Sequence, residues 1–412
     1  MRYNSTVPLM IAVAQLGARM HYAVPRILDA AGMLERLYTD FAANKNVWRV
    51  LKALDWSNGL LARMAARNPE GVAAERICHW PRFAFEYNLR QRRAASPAEL
   101  TMVHLWAGRE FCRRIIRHGL GNAAGVYTFN SAGLELLEYA KARGIICVVE
   151  QTIAPAEIED RLMAEEHDAF PGWEERREPN PYRAEFAARE RAEWGCADLI
   201  LCGSEFVRDG IRHCGGPTVR CRVVPYGFAP PWQPKLRTGR DREIRVLAAG
   251  AVGLRKGAPY LFRAAQLTRG IAQFRWVGPV RLHEDAAAQM RTCVELVGGR
   301  PRPEMAEQYD WADAFLLPSI CEGSATVCYE ALSSGLPVIT TPNAGSVVRD
   351  GVDGFIVPTR DAESIAEKLE ILARNRDLLA WMSANAVARS HEFSLEKYAE
   401  RLIVAISAAQ HS

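Results

Sequence analysis

Residues 318–342 read PSICEGSATVCYEALSSGLPVITTP, and two glutamates interrupt this run of small, apolar and hydroxylic residues. The apolar residues just before it, DAFLLPS, predict a buried strand. A short helix is predicted to begin at residues 323–325 and to stop at Gly335, since a proline follows two residues later. Glu322 therefore precedes a helix N-terminus, and Glu330 lies on the helix itself.

A helix N-terminus with small residues is a candidate phosphate site. Its free N–H groups attract an anion, and Gly323, Ser324 and Ala325 are small enough to let a phosphate approach the backbone. The carboxylates of Glu322 and Glu330 would repel phosphate, but they are suited to accept hydrogen bonds from sugar hydroxyls. A nucleotide sugar carries hydroxyls on both flanks of its diphosphate. The hypothesis is that one of the two glutamates binds the ribose and the other binds the hexose, with the diphosphate between them.

A second candidate element is VLAAGAVGLRKGAPYLFRAAQ, which predicts a strand, a glycine-rich turn and a helix. Its glycines, Gly250, Gly253 and Gly257, allow close backbone approach. Arg255 and Lys256 sit in the same turn, and two cations there can neutralise a diphosphate.

Short apolar runs alternate with helical patterns along both halves of the chain, which indicates parallel sheets. The stretch GFAPPWQPKLRTGRDRE, rich in proline, glycine and charge, predicts a linker near residue 235. The chain is therefore predicted to be α/β, with two doubly wound Rossmann-like domains, residues 1–235 and 236–390, that face each other across a deep cleft. Residues 41–115 fit this rhythm poorly and are interpreted as an insertion with apolar and basic helical faces.

Composition favours a globular protein, with 49% apolar and 24% charged residues and a net charge of +4. This charge is too small to indicate nucleic acid. Residues 41–117 hold fourteen Lys/Arg and six Asp/Glu, so their basic surface is either a solvated helical face or a contact with an anionic membrane. Scattered cysteines favour reduced thiols in the cytoplasm. The N-terminal apolar run resembles a weak signal peptide, but a first strand over Val7 to Ala14 is preferred.

The pattern PS…EG…YEAL..G.PVI.T, continued by AGSVVRDGVDGFIVP, resembles the retaining glycosyltransferases of family 4, also described as glycosyl transferases group 1, which have the GT-B fold. The resemblance implies that Glu322 binds the donor sugar and Glu330 the ribose. It implies that residues 391–412 form a helix that crosses back to the first domain. Lys256 matches the family lysine on the donor diphosphate. The family arginine falls on Ala251, so Arg255 is expected to replace it.

The same resemblance gives candidates elsewhere in the cleft. Gly17 looks like the N-terminal glycine loop that faces the donor phosphates and the acceptor, and Gly278 lies in a loop that passes the nucleotide base. Acceptor-side candidates are His21, Glu150 and Ser204, although Ser204 is equally well explained as a helix cap. The family's frequent histidine in the first domain is missing near Glu150.

The function implied is a retaining, metal-independent hexosyltransferase that needs no cofactor and transfers a UDP- or GDP-linked sugar to a glycan or lipid-linked acceptor. Cell-surface polysaccharide or glycolipid synthesis is the expected role, in the cytoplasm or peripherally on the inner face of the cell membrane. A glycosidase is rejected, because hydrolysis needs no helix N-terminus and no pair of cations beside its two acids. A nucleotide-sugar epimerase of the same fold and a catalytically dead sugar-nucleotide-binding module remain as alternatives.

Overall fold

The computed structural model describes residues 9–43, 67–176, 178–238 and 243–410. Two sheets form its framework. The strands of the first are β1 Ile11–Gln15, β2 Leu34–Thr39, β3 Ile77–His79, β4 Gly125–Phe129, β5 Ile146–Gln151, β6 Leu199–Cys202 and β7 Cys221–Val223. The strands of the second are β8 Ile244–Ala249, β9 Ala272–Val277, β10 Val294–Gly298, β11 Ala314–Leu317, β12 Val338–Thr340 and β13 Gly354–Ile356.

Helices alternate with these strands. Those that precede β8 are α1 Ala23–Ala30, α2 Pro81–Arg93, α3 Pro97–His118, α4 Leu134–Lys141, α5 Ala156–Ala169, α6 Arg183–Cys196 and α7 Glu205–His213. Those that follow it are α8 Ala258–Leu267, α9 Glu284–Arg291, α10 Met305–Trp311, α11 Thr326–Ser333, α12 Ala362–Arg374, α13 Arg376–His391 and α14 Leu395–Ala409. Within the described ranges, no helix combines the length and the apolar content that a membrane crossing requires.

Both sheets are parallel and doubly wound. The first has the order β3-β2-β1-β4-β5-β6-β7, and the second has the order β10-β9-β8-β11-β12-β13. The strand order reverses direction between β1 and β4 in the first sheet and between β8 and β11 in the second. At such a point the loops after the two central strands diverge, and ligands of open α/β sheets bind in the crevice between them.

The predicted rhythm of strands and helices agrees with this framework, except at β2 and in the early insertion. Strands β2 and β3 were not predicted. In β2, LERLYT, the charged Glu35 and Arg36 stand between apolar residues and obscure the strand pattern. The sheets separate between residues 223 and 244, where the sequence predicts the linker. The limits of the two domains themselves stay a prediction.

The early insertion contains α2 and α3, while the basic apolar stretch of residues 44–66 lies outside the described residues. The stretch FCRRIIRHGL, in α3, was expected to place apolar residues at a membrane surface. That expectation is wrong for its main apolar residues, because Phe111, Cys112 and Ile115 are buried in the core of the first domain.

The last helix, α14, packs on the first domain. The ring of Tyr398 meets the ring of Tyr226 edge-on, with 6.0 Å between centroids. Arg401 donates a hydrogen bond to the carbonyl oxygen of Pro225 at 3.1 Å. Gly227 is tightly enclosed here, since a Cβ on it would lie 2.6 Å from Cβ of Tyr398. The C-terminal helix therefore ties the end of the chain to residues that precede the linker.

Candidate functional site

The glycine-rich turn and the segment with two glutamates converge at the switch point of the second sheet. A 3-10 turn, Leu254–Lys256, follows β8, and Glu322 follows the adjacent strand β11. Lys256 Nζ lies 2.8 Å from Glu322 Oε1, and Arg255 Nη1 lies 3.6 Å from Glu322 Oε2. Two cations and one carboxylate are therefore placed together where a parallel α/β sheet offers a ligand site.

Arg255 points into this cluster. Its Nη1 also lies 3.4 Å from the carbonyl oxygen of Cys321, and its own carbonyl oxygen accepts a hydrogen bond from the Ile320 N–H at 2.9 Å. Its side chain is 34% exposed, whereas Lys256 and Glu322 are buried. Arg255 thus has access to both the cluster and solvent, a position from which it can reach an incoming anion.

Gly257 brings the two loops into contact. Its φ is +76°, and a Cβ there would lie 2.0 Å from the carbonyl oxygen of Pro318. Both features require glycine. Gly250 serves a related purpose, because a Cβ on it would lie 3.0 Å from the Lys256 side chain. These glycines leave room for the lysine and for the loop after β11.

Gly278 has a packing reason that the sequence did not predict. A Cβ on it would lie 1.9 Å from the carbonyl oxygen of Gly250, and its φ is +155°. Its N–H donates to the carbonyl oxygen of Gly298 at 2.9 Å. The glycine therefore allows the loops after β8 and β9 to touch, and its N–H is already used within the protein.

Glu330 has different partners from Glu322. Its Oε2 accepts a hydrogen bond from the Tyr309 hydroxyl at 2.7 Å. Burial raises the pKa of the Glu330 carboxyl, while the Tyr309 hydroxyl and the nearby Arg302 oppose that rise. Tyr309 was not singled out in the sequence. The one sequence feature that could have pointed to Tyr309 is its position on the short helix before β11.

The small residues at the start of α11 do not all face an open phosphate site as predicted. The Ala325 N–H donates to the carbonyl oxygen of Ala344 at 3.1 Å, so this amide is already bonded. A Cβ on Gly323 would lie 1.9 Å from the carbonyl oxygen of Thr152, in the first domain. Glycine is needed at 323 because the first domain approaches there, and Ser324 Oγ lies 2.8 Å from the Tyr329 hydroxyl.

Ser204 caps a helix, which is one of its two predicted roles, and its acceptor-side role stays a prediction. Its Oγ accepts a hydrogen bond from the Val207 N–H at 3.4 Å, which caps α7. The same hydroxyl donates to the carbonyl oxygen of Gly323, on the other side of the cleft. A Cβ on Gly345 would lie 2.6 Å from this hydroxyl oxygen. The end of β6 therefore closes directly onto the loop after β11.

Gly17 follows β1 as predicted, but its N–H is not directed at a ligand. It donates to Asp40 Oδ1 at 2.9 Å, and the Gly17 carbonyl oxygen accepts from Gln15 Nε2 at 3.1 Å. The Gly17 N–H is therefore already bonded to the Asp40 carboxylate, and the predicted position of this loop facing the donor phosphates stays a prediction.

His21 lies in a strained turn that faces the second domain. The backbone φ angles are +46° at Met20, +50° at His21 and +59° at Tyr22. Residues other than glycine rarely adopt such positive values. His21 Nε2 lies 3.4 Å from Arg302 Nη1. Burial, with a smaller effect of Arg302, lowers the pKa of His21. Among the three acceptor-side candidates, His21 is accessible to solvent and lies next to Arg302 of the second domain.

Glu150 is less suited to contact an acceptor than predicted. It lies at the end of β5, fully buried, where it accepts hydrogen bonds from the hydroxyls of Tyr127 and Tyr226. Burial raises the pKa of its carboxyl. Two tyrosines occupy both oxygens, so Glu150 organises the interior of the first domain.

A cavity of about 720 Å³ lies away from these residues, between α3, α5 and the loop before α6. Both arginines that line it are held in ion pairs. Arg183 contacts Asp160 at 2.7 Å, and Arg176 contacts Asp168 at 2.8 Å. The cluster at the switch point, with two cations converging on one carboxylate, is the stronger candidate site.

Comparison with known structures shows the fold. The sucrose-phosphate synthase of Thermosynechococcus elongatus superposes with a TM-score of 0.63 and 17% identity, over 97% of this chain and 99% of that one. The Anabaena HepE protein in complex with UDP superposes with a TM-score of 0.59 and 14% identity, again over 97% and 99%. The predicted GT-B architecture of two facing Rossmann-like units is confirmed.

Sequence comparison covers parts of the chain. The amylovoran biosynthesis glycosyltransferase AmsK of Erwinia amylovora is 28% identical over 190 residues, which is 41% of this chain. The matched region spans about half the length of that relative, 46%. Residues 243–375, which carry Arg255, Lys256, Glu322 and Glu330, match the family model described as Glycosyl transferases group 1. This segment of the chain is therefore similar to the group 1 glycosyl transferases.

Proposed function

We propose that the protein is a retaining glycosyltransferase that moves a sugar from a nucleoside diphosphate sugar to a glycan or lipid-linked acceptor. The observation that carries this proposal is the cluster of Arg255, Lys256 and Glu322 at the switch point of the second sheet. The relative AmsK, named for amylovoran biosynthesis, favours a role in cell-surface polysaccharide or glycolipid synthesis. HepE, solved with UDP, favours a nucleotide-linked donor.

The chemistry follows from the charges of the cluster. The bond between the anomeric carbon and the diphosphate breaks, and negative charge develops on the departing phosphate oxygen. Arg255 and Lys256 stabilise that charge, which is the kind of fixed electrostatic contribution that lowers such barriers most. The acceptor oxygen bonds to the anomeric carbon on the face that the diphosphate leaves, and its proton passes to the departing phosphate. The reaction as proposed needs no cofactor and no metal ion.

The two glutamates have separate tasks in this proposal. An entering diphosphate competes with Glu322 for the two cations, so the Glu322 carboxylate becomes available to hydroxyls of the transferred sugar. Glu330 is held by Tyr309 at 2.7 Å and would accept hydrogen bonds from the ribose. His21, beside Arg302, is the acceptor-side group that the geometry favours over Glu150.

The test is an assay with a panel of UDP-, GDP- and ADP-sugars in which free nucleoside diphosphate and the sugar products are both measured. Release of nucleoside diphosphate, faster with an acceptor and lost in the Lys256→Ala variant, is the expected result. Isomerised sugar in place of transfer would identify an epimerase. Tight binding of a donor with no turnover, in the presence of glycan and lipid-linked acceptors, would identify a binding module.

Retention is measured separately. The anomeric configuration of the product is compared with that of the donor by the proton coupling constant at the anomeric carbon in NMR. An inverted product would contradict the proposed attack on the departing face, even if transfer itself is found.

A further inference from the structure

We propose that Glu174 of the first domain is a positioning residue for the turn of the second domain that carries Arg255 and Lys256. The hydrogen bonding of this turn is then complete only when the two domains are in contact. The inference rests on the proposed function, which assigns the donor diphosphate to these cations.

The central contact crosses between the domains. Glu174 Oε1 accepts a hydrogen bond from the Leu254 N–H at 2.7 Å, although the two residues are 80 positions apart. Leu254 begins the 3-10 turn, and an N–H at the start of a helical turn has no partner within the turn. A carboxylate is a strong acceptor for such a group. Glu174 therefore fixes the start of the segment whose next two residues are the cations.

Gly253 is explained by the same carboxylate. Its φ is −179°, an extended conformation that any residue adopts, so the backbone does not require glycine. A Cβ at this position, however, would lie 2.1 Å from Glu174 Oε1. The next neighbour on another side chain, Cβ of Arg281, is at an ordinary 3.6 Å. The sequence assigned Gly253 to donor binding, whereas the structure assigns it to the approach of Glu174.

The segment that carries Glu174 is itself fixed to the second domain. The ring centroid of Trp173 lies 6.1 Å from that of Phe262. The backbone carbonyl oxygen of Trp173 accepts a hydrogen bond from the His283 N–H at 2.8 Å. One helix earlier, the buried Glu166 accepts from Arg360 Nε at 2.6 Å. Arg360 has a φ of +72°, an unfavourable conformation for arginine that this ion pair helps to maintain. These contacts hold the Glu174 carboxylate at a defined position relative to the second domain.

The first measurement is hydrogen exchange of the Leu254 amide in the full chain. Glu174→Ala removes its acceptor, so exchange should accelerate at least tenfold. Turnover should fall about tenfold because the cations lose their fixed position, and Glu174→Gln should restore part of both, since an amide oxygen can still accept. Glu175→Gln is the matched control, because Glu175 is an exposed neighbour. Exchange at Leu254 that is unchanged by Glu174→Ala would overturn the proposal.

The second measurement is a double-mutant cycle. Gly253→Ala should lower turnover at least tenfold in the wild-type background, because the added Cβ displaces Glu174. In the Glu174→Ala background the same change should cost less than twofold, since the obstructing carboxylate is gone. An equal cost in both backgrounds would contradict the proposed role.

The two proposals can fail separately. If Leu254 exchange responds to Glu174→Ala but no sugar nucleotide is turned over or bound, the cross-domain positioning stands and the glycosyltransferase proposal falls. If transfer is found and neither exchange nor the cycle responds, Glu174 has no positioning role and the proposed function stands.

Discussion

Glu322 and Glu330 belong to one short segment, yet their surroundings differ in charge. Glu322 is paired with Lys256 and lies near Arg255, whereas Glu330 is bonded to a neutral hydroxyl. A carboxylate beside cations is placed to act where a diphosphate departs. One held by a hydroxyl on a helix is placed to accept hydrogen bonds from a bound ligand. Substitutions of the two residues should therefore have different kinetic effects.

We expect Glu330→Ala to weaken donor binding and Glu322→Ala to lower mainly turnover. The first removes ribose hydrogen bonds to a charged group, about 1.5–3 kcal/mol, or roughly 10- to 150-fold in affinity. The second removes contacts that orient the transferred sugar and also leaves two cations without their carboxylate. Donor affinity from calorimetry and kcat from the panel assay separate these effects. Equal and small changes in both variants would contradict the assignment.

We propose that Arg255 takes the place of the arginine that the family is expected to carry at the position of Ala251. Its planar guanidinium can hold two phosphate oxygens, whereas Lys256 acts as a point charge. Arg255→Ala should lower kcat by roughly 100- to 1000-fold, by analogy with removal of one oxyanion donor, and should match Lys256→Ala. Arg255→Lys should rescue only part of the loss. A nearly silent Arg255→Ala would mean that Lys256 and the backbone amides suffice.

The raised pKa of Glu330 predicts a pH dependence of donor binding. Burial favours the protonated carboxyl, so Glu330 gains its proton at a higher pH than an exposed glutamate does. Donor affinity should accordingly decrease as the pH falls through this raised pKa, because a protonated carboxyl is a poorer acceptor for ribose hydroxyls. Titration calorimetry at a series of decreasing pH values should show this decrease in the wild type. Glu330→Gln should flatten the profile, and an unchanged profile would contradict the role of Glu330.

At the scale of elements, the second sheet depends on close approach of the loops that follow its strands. Gly278 permits contact between the loops after β8 and β9, and Gly257 permits contact between the loops after β8 and β11. The loops after β8, β9 and β11 are thus held at backbone distance, which leaves no space for even a methyl group.

Gly278→Ala should therefore destabilise the protein by about 2 kcal/mol or more, because the new Cβ meets the Gly250 carbonyl oxygen in a conformation that alanine disfavours. Thermal or urea unfolding measures the loss. Gly299→Ala is the matched control, since a Cβ there meets nothing within 4 Å. If both variants unfold alike, the close contact is not important for stability.

At the scale of the whole molecule, the first domain carries a basic surface on one of its helices. On α2, Arg82, Arg92 and Arg93 are exposed, and Phe85 is 62% exposed on the same helix. Cations beside an exposed aromatic ring are typical of helices that lie on an anionic bilayer. We propose that this helix, and not the apolar residues of α3, contacts the membrane surface.

Sedimentation with liposomes that contain anionic lipid is the measurement. The protein should bind at low salt, release at high salt, and bind several-fold more weakly when Arg92 and Arg93 are both replaced by Glu. The Phe85→Ser variant should weaken binding at either salt concentration. Glu175→Gln again serves as a control, and no sedimentation of the wild type at low salt would rule out this contact.

The sequence by itself determined the α/β class, most strands and the residues of the cluster. These follow from local signals, since apolar periodicity identifies strands and helices and glycine marks the turns between them. The two glutamates and the two cations could be assigned because each pair lies within one strand–loop–helix unit. The GT-B arrangement was accessible through the resemblance of those same units to a known family.

The tertiary structure alone decided which residues meet across the domains. Glu174 reaches Leu254 over 80 positions, and Ser204 reaches Gly323 over 119. Gly253 and Gly323 were assigned to a ligand, but each gives room to an oxygen of the first domain. A steric or hydrogen-bonding requirement of this kind arises only when the two sheets face each other. No local periodicity or turn pattern predicts such a contact, because the sequence around each residue contains no information about its distant partner.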